Sequence, residues 1–247
     1  MKRFKLIRSK PANASSNMSI DEGIFLRYLK ERIPVFRIYS WEAPSFTYGF
    51  SQKPEEELDL PLCHKDGVGI AKRLTGGGVL FHDNEVTYSI TCSKLDIEEE
   101  EGVFVSYRKT CAFLINFYKS LGLNPVFALE SVGFRLKASP SKLCAASYEK
   151  FDITINGKKI GGNAQKRKRD VIFQHGSIPI SIDFNLMQKY LRYFPESVSL
   201  GNTFLAKELK CNLDKDAIEE KLIESFIKTF NIEFIKEESL NEAALVK

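Results

Sequence analysis

The 247-residue sequence predicts an α+β fold, with mixed, mainly antiparallel sheets flanked by helices in a single domain. Three observations lead there. Long segments with apolar residues at helical spacing read as amphipathic helices. Short runs of β-forming residues fall among them without the regular strand–helix alternation of a parallel sheet. Asn156-Gly157, set between two alternating runs, is a strong hairpin signal.

Taken in order, the opening MKRFKLIRSK has only Phe4, Leu6 and Ile7 as apolar residues, so it lacks the core of a signal peptide. Residues 15–30 open with cap-type serines and place Ile20, Ile24, Phe25, Tyr28 and Leu29 on one stripe, which predicts an amphipathic helix. Pro34 ends it, and VFRIYSW (35–41) reads as a strand. GVGIAKRL (67–74) and EVTYSIT (85–91) read as two strands around a glycine loop. The acidic run Glu98–Glu101 leads into a second helix, with Phe104, Tyr107, Cys111, Leu114, Tyr118 and Leu121 on one face and Gly122 as its stop. In the hairpin at 151–162, Ile155 should face Lys158, Thr154 should face Lys159, and Ile153 should face Ile160. VIFQHGSIPI (171–180) is another strand. Residues 183–193 and 214–230 look helical, and the stretch from about 203 to 247 is expected to be a helical end of the same domain.

Hydrophobic residues at 43% and charged residues at 28% exclude wholesale disorder. The net charge of +4 is too small to argue for nucleic acid without a clustered patch. No apolar run reaches the length of a bilayer span, so a cytoplasmic protein without membrane contact is expected. The five cysteines, 63, 92, 111, 144 and 211, form no C-x-x-C pair. That pattern is neither a disulfide framework nor a zinc site, so no metal is expected, and adjacent Cys63 and His64 read as loop residues.

Four segments could carry chemistry. In Arg73-Leu74-Thr75-Gly76-Gly77-Gly78 through His82, the glycines let backbone approach a ligand and aim N–H groups at an oxygen, although a bare glycine triplet is more often a flexible loop. Lys159 shares a hairpin face with Asp152, Thr154 and Gly161, opposite Ile153, Ile155 and Ile160. Spacing alone leaves a functional lysine and a solvent-exposed one equally open. On either reading Lys159→Ala should leave the melting temperature nearly unchanged. Cys144, in SPSKLCAASYEK (139–150), has Lys142 and Lys159 as candidate cations to hold a thiolate, yet a loop cysteine is more often inert. Lys166-Arg167-Lys168-Arg169 reads as a nucleic-acid patch, a docking surface for an acidic protein or, by default, a solvated loop.

Together, over roughly residues 15–195, these segments resemble the biotin/lipoate A/B protein ligase superfamily. Asn17-Met18-Ser19-Ile20-Asp21-Glu22 is similar to its N-M-x-I-D-E helix, and Arg73 through His82 to its R-x-[ST]-G-G-G-x-x-x-H loop. Lys159-Ile160-Gly161-Gly162-Asn163-Ala164-Gln165, followed by His175-Gly176-Ser177, is similar to its K-[IV]-x-G-[SN]-A and H-G-[ST] signatures. The resemblance implies a fold like the class II aminoacyl-tRNA synthetases and biotin synthetases, in which glycine loop and lysine hairpin clasp an acyl chain. Cys144, 15 residues before Lys159, is similar in placement to the nucleophile of the LipM-type octanoyltransferases. Ala145 stands where that subfamily often has an aromatic residue. Gly161, where Ser or Ala is commoner, is expected only to loosen the pocket.

The resemblance implies a double displacement. Cys144 takes an octanoyl group from acyl carrier protein and passes it to a lysine of a lipoyl domain or of glycine-cleavage H protein. Lys159 would bind the carbonyl oxygen or favour the thiolate. Arg73 and His82 would shape the entrance, and Thr75, Gly76, Gly77, Gly78, Gly161, Gly162, Asn163, Ala164 and His175 would line the substrate site. No cofactor, metal or nucleic acid is required. The alternatives are an ATP- and magnesium-dependent lipoate ligase on the same scaffold and a non-catalytic binding protein using the tract at 166–169.

Overall fold

The computed structural model describes residues 2–97, 103–131, 143, 145 and 149–235. Cys144, Lys142, Glu98–Glu101, the side chain of Phe104 and everything after residue 235 lie outside them.

The chain opens with strand β1 (Lys2–Arg8), helix α1 (Ala14–Glu31), strands β2 (Val35–Tyr39) and β3 (Ser45–Tyr48), and helix α2 (Leu60–Lys65). Strands β4 (Gly69–Lys72), β5 (Leu80–His82) and β6 (Glu85–Ser93) follow, then helix α3 (Val103–Ser120) and strands β7 (Pro125–Phe127), β8 (Ile153–Ile155), β9 (Lys158–Ile160), β10 (Gly162–Lys168) and β11 (Val171–Pro179). The last part comprises α4 (Phe184–Lys189), α5 (Glu196–Gly201), β12 (Asn202–Thr203), α6 (Leu205–Leu209), α7 (Lys215–Phe230) and β13 (Ile232–Ile235).

A six-stranded sheet in the order β10-β11-β6-β2-β1-β13 forms the centre. A four-stranded sheet (β12-β9-β8-β7) and a three-stranded one (β4-β3-β5) complete the fold. Most pairings are antiparallel, while β1 runs parallel to both its neighbours. This is the mixed α+β architecture expected from the sequence. The helical end expected from residue 203 is only partly helical: after α7 the chain returns as β13 and pairs with β1. The glycine run lies between β4 and β5 of the small sheet, and β4 pairs with β3 rather than with the strand at 85–93. Cys63 is no loop residue; it sits on α2 and is fully buried.

The central sheet has two different faces, and strand periodicity makes them so. Along β6, Val86, Tyr88, Ile90 and Cys92 point into the large core covered by α3 and α7. On that side Phe36 of β2 stacks on Phe226 of α7 at 4.1 Å, with Phe113 of α3 edge-on to both. The alternate residues Glu85, Thr87, Ser89, Thr91 and Ser93 are equally buried, on the side of α1. Helix α1 is capped by Asn13, whose side chain accepts from the Ser16 N–H at 2.9 Å, and ends with Arg32 in the left-handed region. Its apolar stripe packs Ile20 and Ile24 on Ile7 and Val35, and Phe25 and Tyr28 on Val171 and Phe173. Between these contacts a polar strip of sheet stays dry, and the candidate site is built on it.

Candidate functional site

Helix α1 contributes Asp21, which is 1% exposed and therefore needs partners. Its Oδ1 accepts from Arg37 of β2 at 2.9 Å and from Ser89 of β6 at 2.8 Å, and its Oδ2 accepts from the Tyr39 hydroxyl at 3.0 Å. Burial pushes the Asp21 carboxyl up, but Arg37, with His175, outweighs it and holds the group below the ordinary value. His175 of β11 lies with Nδ1 3.7 Å from Asp21 and Nε2 2.8 Å from the Thr75 hydroxyl. Burial holds its imidazole below 6.5, although Asp21 pulls the other way.

A second buried carboxylate repeats the pattern. Glu85 accepts from Trp41 Nε1 at 3.0 Å, from the Ser177 hydroxyl at 2.6 Å and contacts His82 Nδ1 at 2.8 Å. Burial raises its pKa, but His82, Ser177 and Thr87 together bring it below the ordinary range. His82 stacks on the Trp41 ring at 3.9 Å, and its Nε2 lies 2.7 Å from Thr47 Oγ1. Thr47 in turn accepts from Arg73 at 3.0 Å. Arg73, expected at the pocket entrance, is buried in the cavity wall and braces the loop. Its guanidinium donates to the carbonyls of Gly76 (3.1 Å) and Gly78 (2.7 Å), curling the loop around itself. Gly77 has φ +94, a conformation that disfavours any side chain.

The lysine hairpin forms as its sequence dictates: Asn156 and Gly157 both have positive φ, and Thr154 faces Lys159 while Ile155 faces Lys158. Lys159 is not solvent-exposed, however. It is 2% exposed, and its Nζ lies 2.7 Å from Asp152 Oδ2. The expectation that its removal would leave stability untouched fails on this point, because the face opposite the isoleucines is also buried. Gly161 has φ +76, and a Cβ there would fall 2.0 Å from the Ser177 carbonyl oxygen. Glycine is therefore required for the strand to turn against β11, rather than merely loosening the pocket.

Lys159 stands in the wall of a cavity of about 290 Å³ lined on one side by Met18, Trp41 and Leu80. Of the residues expected at the site, Arg73, Gly77, Gly78, His82, Lys159, Gly162, Asn163, Ala164 and His175 all line it. Thr75 stands behind His175, Gly76 faces an adjoining groove, and Gly161 faces a smaller cavity of about 50 Å³ behind Lys159. Cys144 lies outside the described residues, but Ala145 lines that smaller cavity and Leu143 bridges Val79 at the end of the glycine loop. The sequence reading missed Trp41, Thr47 and Glu85. The alternating Glu, Thr and Ser of β6 was the available signal for Glu85. Gln52, also unforeseen, lines the cavity with a buried Oε1 that has no hydrogen-bond partner among the described residues. The basic tract is a solvated loop only in part: Lys166 to Lys168 end strand β10, Lys166 lies over the Phe25 ring and Arg167 bonds to Ser106 of α3, while Lys168 and Arg169 are exposed, Arg169 in the turn to β11. Among the described residues no cluster of three or more His, Cys, Asp or Glu is placed to hold a metal, and no helix is long and apolar enough to cross a membrane.

This architecture has known counterparts. Octanoyltransferase LipM of Clostridioides difficile (strain 630) is 32% identical over 247 residues, covering 96% of this chain and 90% of that protein. Octanoyltransferase LipM of Anoxybacillus flavithermus (strain DSM 21510 / WK1) is 30% identical, over 92% of this chain and 84% of that protein. A crystal structure of lipoate-protein ligase A bound with ATP superposes on the fold with a TM-score of 0.80 at 23% identity, covering 100% of this chain and 93% of that one. A family model for the lipoyl protein ligase A/B catalytic domain matches residues 13–227, and the chain belongs to that family.

Proposed function

We propose that the protein is a cytoplasmic octanoyltransferase of lipoate biosynthesis. It takes an octanoyl group from acyl carrier protein and delivers it to a lysine of a lipoyl domain or of glycine-cleavage H protein. The observation that carries this reading is Lys159: a buried, ion-paired lysine in the wall of a partly apolar cavity, with the glycine loop on another wall. The names of the two relatives support it as well.

Cys144 is the nucleophile. Its thiolate attacks the thioester carbonyl, the new sulfur–carbon bond forms, the carrier's sulfur–carbon bond breaks, and the carrier's sulfur takes up the proton that Cys144 gave up. Lys159 stabilises the thiolate and the developing oxyanion by its charge. The neutral amine of the acceptor lysine then attacks the acyl-enzyme; an amide forms, the bond to Cys144 breaks and the thiol is restored. Leu143 beside the glycine loop and Ala145 beside Lys159 support this assignment. Met18, Trp41 and Leu80 offer the acyl chain apolar surface.

Incubation with octanoyl-carrier protein without ATP should add one octanoyl group, and peptide mapping should place it on Cys144. Cys144→Ser should abolish this while keeping the fold. An ATP-dependent lipoate ligase is the second reading. The open groove of about 470 Å³ beside Gly76, Gly77, Tyr107 and Phe151, continuous with the cavity, favours it. ATP–pyrophosphate exchange driven by lipoate, retained in Cys144→Ser, would put that reading in place of the first.

A further inference from the structure

The loop Arg73–Gly78 carries three consecutive glycines, whose backbones are costly in entropy to order and have no side chain to hold them. Something outside the loop must therefore fix its shape. Two buried chains of side chains reach it from the polar strip of the central sheet. One runs from Asp21 through His175 to the Thr75 hydroxyl, just before the glycines. The other runs from Glu85 through His82 and Thr47 to Arg73, and from Arg73 to the carbonyls of Gly76 and Gly78. Each has a carboxylate, a histidine and a threonine in that order.

We propose that these two carboxylate–histidine–threonine chains are positioning devices that set the glycine loop for acyl transfer, with Asp21 and Thr75 acting on the reaction without touching substrate. Neither Asp21 nor Thr75 lines the cavity. Asp21 is itself locked by Arg37 and Tyr39 of β2 and by Ser89 of β6, so the rigidity of two sheet strands is passed to the loop through one imidazole. On the other side, drawing the carbonyls of Gly76 and Gly78 onto Arg73 fixes those two peptide planes. Because the peptides are trans, the N–H groups of Gly77 and Val79 are then aimed the opposite way. Two grips are needed because a glycine loop held at one end still pivots about the other.

The consequence for acyl transfer rests on the proposed function; the holding of the loop does not. Asp21→Asn leaves Arg37 buried without its counter-charge and risks the fold, so Thr75→Val and Thr75→Ser are the decisive pair. Thr75→Val keeps the size and removes the hydroxyl, whereas Thr75→Ser keeps the hydroxyl. Backbone amide exchange across residues 73–79, followed by mass spectrometry, should quicken in Thr75→Val and stay near wild type in Thr75→Ser. The rate of acyl-enzyme formation from octanoyl-carrier protein should fall on the order of 10²-fold in Thr75→Val, the scale of a small misplacement, with KM little changed. Thr75→Ser should restore most of it. Unchanged loop exchange in Thr75→Val, or equal effects of valine and serine, overturns the proposal. If wild type forms no acyl-enzyme, the proposed function fails and the exchange comparison still decides the role of the chains.

Discussion

Lys159→Ala tests the buried ion pair directly. The Lys159–Asp152 separation is 2.7 Å, and the two side chains are 3% and 5% exposed, so solvent and salt screen the pair little. Removing the cation strands a buried carboxylate, which costs about 3–5 kcal/mol. In a chain of this size each kcal/mol moves the melting temperature by about 2–4 °C, so a fall of roughly 6–20 °C is expected. Removing both charges behaves differently, since apolar residues of similar volume often replace a buried pair at no net cost. Asp152→Leu/Lys159→Met should therefore melt well above Lys159→Ala while remaining inactive. Thermal unfolding followed by circular dichroism on wild type, Asp152→Leu, Lys159→Met and the double variant closes the cycle. A Lys159→Ala protein that melts within about 2 °C of wild type would refute the reasoning, because that shift is under 1 kcal/mol.

Two further outcomes follow from the same interior. Asp21, Glu85 and His175 all have folded-state pKa values below their ordinary ones, so the unfolded chain takes up protons first as pH falls. Stability should be full above 6.5, decline below it through His175, and decline again below 4.5 and 3.8 through Glu85 and Asp21 as their lowered folded values are crossed. His175→Gln should erase the first decline, and a melting temperature flat from neutral pH down through that first window in wild type would contradict this. Gly161→Ala should cost about 1–3 kcal/mol or more in urea unfolding, since strain and a backbone collision combine. Gly67→Ala, with φ +71 but open space around it, should cost less, and equal losses would show that the collision is relieved.

What could be read beforehand divides along physical lines. The stripes of α1, α3 and α7 are long enough for their period to stand out, and Asn156-Gly157 announces its own turn. The glycine loop, Lys159 and His175 were legible as motifs, and they do converge on one cavity. Strand β1 was not legible, because its lysines and arginines interrupt a short apolar pattern, yet Phe4 is fully buried. Strands β3, β5 and β7 span only three or four residues, too few for a period to show. The burial of Lys159 was hidden for a different reason. Alternation assigns residues to sides of a strand, but it cannot say that both sides are covered. The same ambiguity concealed Glu85, whose polar neighbours in β6 read as an exposed face until α1 and the small sheet are laid over them.

The pairing of β13 with β1 bears on how the molecule is made. Lys2 lies beside Ile232 and Lys5 beside Ile235, so β1 waits for a strand more than 200 residues further along the chain. On the ribosome, β1 can pair with β2 as soon as both have emerged, but its other edge stays open until residues 232–235 have followed. Helix α7, which brings Phe226 onto Phe36, arrives just before β13. The aromatic core and β13 therefore close together, late. Contacts of such long sequence separation slow folding and leave hydrophobic surface uncovered in the meantime, which makes the nascent chain dependent on whatever shields it until α7 and β13 are out.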